Sequence, residues 1–207
     1  MAKRAFFVVG PESSGNRYVT ECFVNAGCFG DFQHEQRLDN DEGFDEATDT
    51  VVFRRSVPHG PNFSWPELSY ELFRSQERGY HDVKVLALLR NQFCTIESHL
   101  NGNKFDGNDK HSRTAAEAER KIVGAMFRIA SFIMENRLPC YYMTYESLAQ
   151  PEFLSAVLFD WGLDGSKVKK FEDGNERHLN KLRAPLDRKE NRLMTAASSF
   201  SAVPIEP

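Results

Sequence analysis

A chain of 207 residues is long enough for one α/β domain with a sizeable core and short for two. Its composition, 41% hydrophobic and 27% charged, is that of a globular protein, and no window reaches the ~18 consecutive apolar residues of a membrane span. A net charge of −4 supplies no basic face, so neither nucleic acid nor membrane is an expected partner, while a local basic pocket for a small anion stays open.

Ala5-Phe6-Phe7-Val8-Val9 is apolar without alternation, the pattern of a first strand buried on both faces. Lys3-Arg4 ahead of it gives a superficial likeness to a secretory leader, but the run is too short for an h-region and Gly10-Pro11-Glu12 follows at once. The chain is therefore expected to stay in the cytoplasm. Residues 16–26 read as a helix closed by Gly27. The acidic stretch 39–49 is expected to be a solvated loop, and Thr50-Val51-Val52-Phe53-Arg54-Arg55 a second strand.

Residues 66–78 read as a helix, 83–89 as a third, wholly apolar strand, and 93–100 as a short helix. The polar, glycine-containing stretch 101–113 is expected to be a mobile loop. Thr114-Ala115-Ala116-Glu117 has the form of a capping box, and Ile122, Met126, Ile129 and Ile133 follow at helical spacing. Residues 139–145 make a fourth strand, and Pro151 opens a helix that ends near Gly162. The tail beyond about residue 184 carries Pro185, Pro204 and Pro207 and is expected to be partly irregular. Cys22, Cys28, Cys94 and Cys140 form no CxxC pair and lack zinc-ligand spacing, so buried, reduced thiols are expected. Recurring strand–loop–helix units predict one domain over 1–207. Its sheet is parallel with helices on both faces, in the three-layer α/β/α arrangement of P-loop nucleotide hydrolases.

The central motif is Gly10-Pro11-Glu12-Ser13-Ser14-Gly15-Asn16-Arg17, between a buried strand and a helix. Gly10 and Gly15 keep the glycine frame of a Walker loop, whose N–H groups and helix N-terminus converge on a phosphate. Asn16 stands where that loop has Lys, and Arg17 where it has the Mg²⁺-binding Ser or Thr. Phosphoryl transfer needs the metal to offset charge on the transferring group, whereas a sulfuryl group carries less charge. Donors without a metal ligand therefore suit a phosphosulfate better than a triphosphate, and no metal is expected. The bland alternative is an ordinary βα turn with no ligand.

A second site follows the third strand, where Arg90-Asn91-Gln92 is followed by Ser98, eight positions after the Arg. Here the chain resembles the sulfotransferase family, in which a strand ends in Arg-Asn-Pro and a Ser eight positions on helps the Arg hold the 3′-phosphate of the donor. That donor is 3′-phosphoadenosine 5′-phosphosulfate (PAPS), and its product is PAP. Tyr141-Tyr142-Met143-Thr144-Tyr145-Glu146-Ser147-Leu148 is similar to the family's Tyr-Glu-Asp-Leu strand end, and Trp161-Gly162-Leu163 follows. The first loop resembles the Gly-Pro-Glu-Ser-Ser-Gly-Thr-Arg variant of some bacterial and viral members. The resemblance implies that Gly10, Ser13, Ser14, Gly15, Asn16 and Arg17 cradle the 5′-phosphosulfate and that Arg90 and Ser98 hold the 3′-phosphate. It makes Tyr145 a wall of the base pocket. Many members carry a loop Lys at the position of Ser13; none is present here, and Arg17 is the candidate to supply that charge. Asn180-Lys181-Leu182-Arg183 and Arg188-Lys189 are both candidates for the family's C-terminal basic segment.

Sulfuryl transfer to a hydroxyl or amine needs a base. His59 follows the second strand and is the favoured candidate, with His34 a second option; His99, beside Ser98, is expected to point elsewhere. Arg54 and Arg55, as strand neighbours, point to opposite faces, so at most one is expected to reach an anionic ligand. The alternative is a surface salt bridge to the acidic stretch before them. The reading is a PAPS-dependent sulfotransferase acting on a small-molecule or carbohydrate acceptor. Its rivals are a P-loop nucleotide kinase and a non-catalytic PAPS- or PAP-binding relative.

Overall fold

The computed structural model describes residues 3–36, 38, 41–46, 48–58, 67–101, 112, 114–176 and 178–180. Lys3–Gly10 forms β1, Asn16–Asn25 α1, Thr50–Ser56 β2, Leu68–Glu77 α2, Tyr80–Leu89 β3 and Gln92–Asn101 α3. Ala115–Glu135 forms α4, Cys140–Thr144 β4 and Pro151–Asp160 α5, with single 3₁₀ turns at Glu146–Ala149 and Gly165–Lys167. All the strand pairings are parallel, in the order β2-β1-β3-β4.

The continuous apolar run of β1 has a direct cause. Ala5, Phe7 and Val9 face Leu68 and Leu72 of α2 and Ala125, Ile129 and Phe132 of α4. Phe6 and Val8 face Val19 and Phe23 of α1, Leu154 and Leu158 of α5, and Trp161. Phe6 stacks on the Trp161 ring at 5.3 Å between centroids. With both faces covered there is no polar side to alternate with. Burying each large apolar side chain contributes roughly 1.5–3 kcal/mol. The expected three-layer architecture is therefore present.

Local signals carry through. Thr114 caps α4 by accepting the Glu117 N–H at 3.1 Å, and Ile122, Ile129 and Ile133 lie on its buried face. Pro151 opens α5. β3 begins at Tyr80, three residues before the predicted start, because His81 is exposed and Asp82 half-exposed at the strand's alternating entry.

The acidic stretch departs from expectation. Its described part is solvated only in places: Glu42, Glu46 and Asp49 are exposed, while Gly43 is buried and Phe44 packs against the sheet. Phe44 lies 5.6 Å from Phe53 and 5.7 Å from Tyr80, and the Asp41 carboxylate takes both Arg74 and Arg78. The acidic count misled because Phe44, between the charges, packs on aromatic rings and Asp41 is held by two arginines.

Among the described residues no helix is long and apolar enough to cross a membrane. All four cysteines are free thiols; Cys22, Cys28 and Cys94 are buried and Cys140 half-buried. The chain divides into two compact units, Met1–Asp173 and Gly174–Pro207. The first carries every element named above. In the second, the described part includes a turn in which the N–H groups of His178 and Leu179 donate to the Asn175 carbonyl. The predicted mobile loop, apart from Asn101 and Ser112, and the irregular tail lie outside the described residues.

Candidate functional site

The loop after β1 is shaped by two glycines for different reasons. At Gly10 an added Cβ would lie 2.7 Å from Asn16 Oδ1 and 2.9 Å from the Leu88 carbonyl, so close approach excludes a side chain. At Gly15, φ is +92°, and a Cβ would come within 2.9 Å of Leu148 Cδ1. Ser13 also has a positive φ, 68°, which costs a non-glycine residue about 1–2 kcal/mol. Three contacts, one from Arg90 just after β3 and two from Ser98 and His99 of α3, hold that part of the loop. Arg90 Nη1 donates to the Ser13 carbonyl at 2.8 Å, Ser98 Oγ donates to Ser13 Oγ at 3.0 Å, and His99 Nε2 lies 3.4 Å from the Glu12 carbonyl.

Gly15 is the N-cap of α1, and the first intrahelical bond runs from the Val19 N–H to its carbonyl at 3.1 Å. The N–H groups of Asn16, Arg17 and Tyr18 therefore precede the helical ladder and carry the positive end of the helix dipole. Ser14 is fully buried and its hydroxyl has no hydrogen-bond partner. Asn16, 4% exposed, turns inward: Nδ2 donates to the carbonyls of Gly10 (3.2 Å) and Pro11 (3.4 Å) and to Ser56 Oγ (3.3 Å). Its Oδ1 is buried without a partner. The Asn16 side chain thus staples the loop to β2, and its N–H is what it presents at the helix start.

Arg90 lies at the carboxyl end of β3, and its guanidinium sits 4.2 Å from the centroid of the Tyr145 ring. Tyr145 is 8% exposed, beneath both Arg90 and Gly15. Its ring meets Phe171 edge-on at 4.9 Å, and Phe171 lies 4.5 Å from Tyr18. Tyr18 and Phe171 were not singled out from the sequence. Tyr18 falls one helical turn after Gly15, but Phe171 reaches the site only through the tertiary fold. Burial pushes the Tyr18 hydroxyl pKa up, and that hydroxyl donates to the Lys169 carbonyl.

On the β2 side Arg17 is exposed and donates to the Gln33 side chain. Among the described residues neither Arg54 nor Arg55 pairs with the acidic stretch; their carboxylate partners are Glu35 and Glu71. Arg54 donates to the carbonyls of Phe32 (2.8 Å) and Gln33 (3.3 Å), with Nε 3.8 Å from Glu35. Desolvation pulls the Arg54 pKa down, partly offset by Glu35 and Glu12. Arg55, 2% exposed, grips both Glu71 oxygens at 2.7 Å and donates to the Gln36 carbonyl at 2.8 Å. Glu35 Oε1 in turn accepts the Ser56 N–H at 2.7 Å, which brings a carboxylate to the carboxyl edge of β2.

His59, Lys181, Arg183, Arg188 and Lys189 lie outside the described residues. His34 is exposed and 3.2 Å from Asp31, while His99 is buried against the loop. The structure brings Ser13, Arg90, Ser98 and Tyr145 together with the start of α1; Arg17 points toward residue 33. The left-handed Gly15, the N–H groups that open α1 and the buried, unpartnered hydroxyl of Ser14 form a cradle that fits a phosphate-type anion. Among the described residues no group of three or more His, Cys, Asp or Glu could hold a metal ion.

No protein-family model matches the chain, and no curated protein matches it in sequence. Among solved structures it is similar to a sulfotransferase domain from the curacin biosynthetic pathway, with a TM-score of 0.50 and 12% identity. The match covers 83% of this chain and 76% of that one. At such identity the likeness is one of fold: a sulfotransferase-like α/β domain.

Proposed function

We propose that the protein is a sulfotransferase that moves a sulfuryl group from PAPS to a hydroxyl or amine of a small-molecule or carbohydrate acceptor. The observation that carries this reading is the meeting of Arg90 and Ser98 at Ser13. The two side chains assigned to a 3′-phosphate thereby border the loop assigned to the 5′-phosphosulfate. The fold likeness to a sulfotransferase domain supports the same reading.

Ser14 and the N–H groups opening α1 hold the 5′ end, with the helix dipole favouring its charge. Arg90 and Ser98 hold the 3′-phosphate, Arg90 through its planar fork. Tyr145, Tyr18 and Phe171 supply aromatic surface for the base. Arg17 is the candidate for the positive charge that a loop Lys would supply, and to serve it must leave Gln33 and turn toward the loop. The acceptor oxygen or nitrogen attacks sulfur in line as the bond from sulfur to the bridging oxygen breaks. One proton passes from acceptor to a base, and PAP leaves. His59 is the base favoured by sequence, and Glu35 is a carboxylate at the carboxyl edge of β2.

The test is a thermal-shift titration with PAP, and with ATP in the presence and absence of Mg²⁺, on wild type and Arg90→Ala. A ligand at about 100 times its dissociation constant adds about 2.7 kcal/mol to stability. Stabilisation by PAP that disappears in Arg90→Ala is the expected result. Stabilisation by Mg²⁺-ATP alone would replace this reading with the kinase. A loop without Lys also fits a non-catalytic nucleotide binder, which predicts PAP binding with no transfer from PAPS across a broad acceptor panel.

A further inference from the structure

Helix α4 carries apolar stripes on two opposite faces. Ile122, Ala125, Ile129 and Phe132 are buried on the side that packs on the sheet. Val123, Phe127, Ala130 and Met134 recur at spacings of four, three and four, which sets them within about 60° of one another on the outer side. Val123, Phe127 and Met134 are 59%, 72% and 76% exposed. This second stripe has the spacing of a coiled-coil seam and packs on nothing in its own domain. Beside the end of α4, where Asn136 Nδ2 donates to Ser69 Oγ at 3.5 Å, α2 adds Tyr70 and Phe73, one turn apart and each more than half exposed. Apolar patches of this kind mark interaction surfaces.

The chemistry of the seam identifies its occupant. When a helix pairs antiparallel with a copy of itself, each position of one seam row faces the other row of the partner. Phe127 then meets the partner's Ala130, and Val123 meets the partner's Met134, so large side chains face small ones. Charges align as well. Arg120 and Glu135 are exposed near the two ends of the seam. Arg120 bonds back along its own helix to the Ala116 carbonyl, and among the described residues neither it nor Glu135 forms an ion pair within the chain. The antiparallel pairing brings each Arg120 beside the partner's Glu135, twice by symmetry. Arg128, which falls near the two-fold axis, is about 100° around the helix from Phe127 and outside the seam. A parallel pairing would instead set Phe127 on Phe127 and Arg120 on Arg120. With about 150–250 Å² to each aromatic side chain, the five exposed residues offer several hundred Å² per copy. Two such faces approach the ~1,000 Å² of a specific interface.

We infer that the outer face of α4 binds the same face of a second copy, with the two α4 helices antiparallel about a two-fold axis near residue 128. The protein is then a homodimer. This does not depend on the sulfotransferase reading.

Sedimentation equilibrium on the full chain over a concentration series measures the dimer dissociation constant. Wild type should sediment with twice the mass of the chain. Phe127→Glu removes a ring from each side of the seam and should raise the constant at least about a hundredfold. Because Phe127 is exposed in the single chain, the variant should keep its circular dichroism spectrum, which separates loss of pairing from loss of fold. Arg120→Glu and Glu135→Arg should each raise the constant about tenfold, since two ion pairs become like-charge pairs. The double variant should return to within about threefold of wild type. A wild type that stays monomeric at every concentration overturns the inference and leaves the seam to a different partner or to solvent. A dimer unmoved by Phe127→Glu places the interface elsewhere and overturns it equally. Single reversals that weaken the dimer without mutual rescue overturn the antiparallel pairing.

Discussion

The guanidinium of Arg90 is held between two unlike partners, with the face of the Tyr145 ring at 4.2 Å and the carbonyl of Ser13 at 2.8 Å. The ring face and the carbonyl together hold the guanidinium in place before any ligand arrives.

Lysine does not reproduce that arrangement. A compact ammonium cannot stack as a plane and grip a carbonyl and a phosphate at set angles. Arg90→Lys is expected to bind PAP at least about tenfold more weakly, a loss of about 1.4 kcal/mol. Calorimetry with PAP measures this directly, and near-wild-type affinity would contradict it.

Gly15→Ala places a side chain at φ +92° and against Leu148 and Tyr145. The backbone cost is about 1–2 kcal/mol, and the flexible end of Leu148 absorbs part of the steric clash. At about 2–4 °C per kcal/mol for a chain of this size, melting should fall by roughly 2–8 °C. Differential scanning calorimetry tests this; an unchanged transition would show that the turn is not constrained as described.

Restoring the Walker lysine should not restore Walker chemistry. Asn16 is 4% exposed and makes three contacts, two within the loop and one to Ser56 of β2, so Asn16→Lys removes the staple and forces a longer side chain into its space. Loss of at least about 1 kcal/mol of stability is expected. Arg17 still occupies the metal-ligand position, so Mg²⁺-ATP should not raise the melting temperature of the variant. A clear Mg²⁺-ATP shift in that variant would show otherwise.

Native thiol labelling should be slow and should steepen with pH. Desolvation pushes Cys28 up to about 12 and Cys140 up to about 11, and the thiolate is the reactive form. At pH 8, half-buried Cys140 should react with iodoacetamide on the order of a hundredfold more slowly than a free thiol. Its rate should climb about tenfold per pH unit until pH approaches its pKa. Cys22, Cys28 and Cys94 should label only on unfolding; mass spectrometry after timed quenching distinguishes the sites.

The fold was legible where local chemistry and tertiary packing agree. β1 and the later part of β3 read as continuous apolar runs because both faces of a central parallel strand are covered. α4 announced itself through Thr114 and Glu117, since a cap is a local contact. The candidate site was legible at Gly10, Gly15, Arg90 and Ser98, where residue type and spacing act over short stretches. What stayed hidden depends on chain segments meeting. The inward turn of Asn16 exists because Gly10 has no Cβ and Ser56 lies across from it on β2. The anchoring of Arg54 and Arg55 depends on where residues 32–36 and α2 come to rest. Phe171 joins Tyr18 and Tyr145 from far along the chain, with no periodicity to mark it.

The bonds that shape the loop join residues far apart in sequence: 40 positions for Asn16 and Ser56, 77 for Ser13 and Arg90, 85 for Ser13 and Ser98. Such closures come late in folding, after the entropy of long loops has been overcome. An N-terminal fragment ending before β3 would therefore carry the whole glycine-framed motif and still be unable to hold its shape. In hydrogen exchange, the amides of this surface loop should open with the sheet rather than with the solvent-exposed turns, so their protection reports completion of the fold.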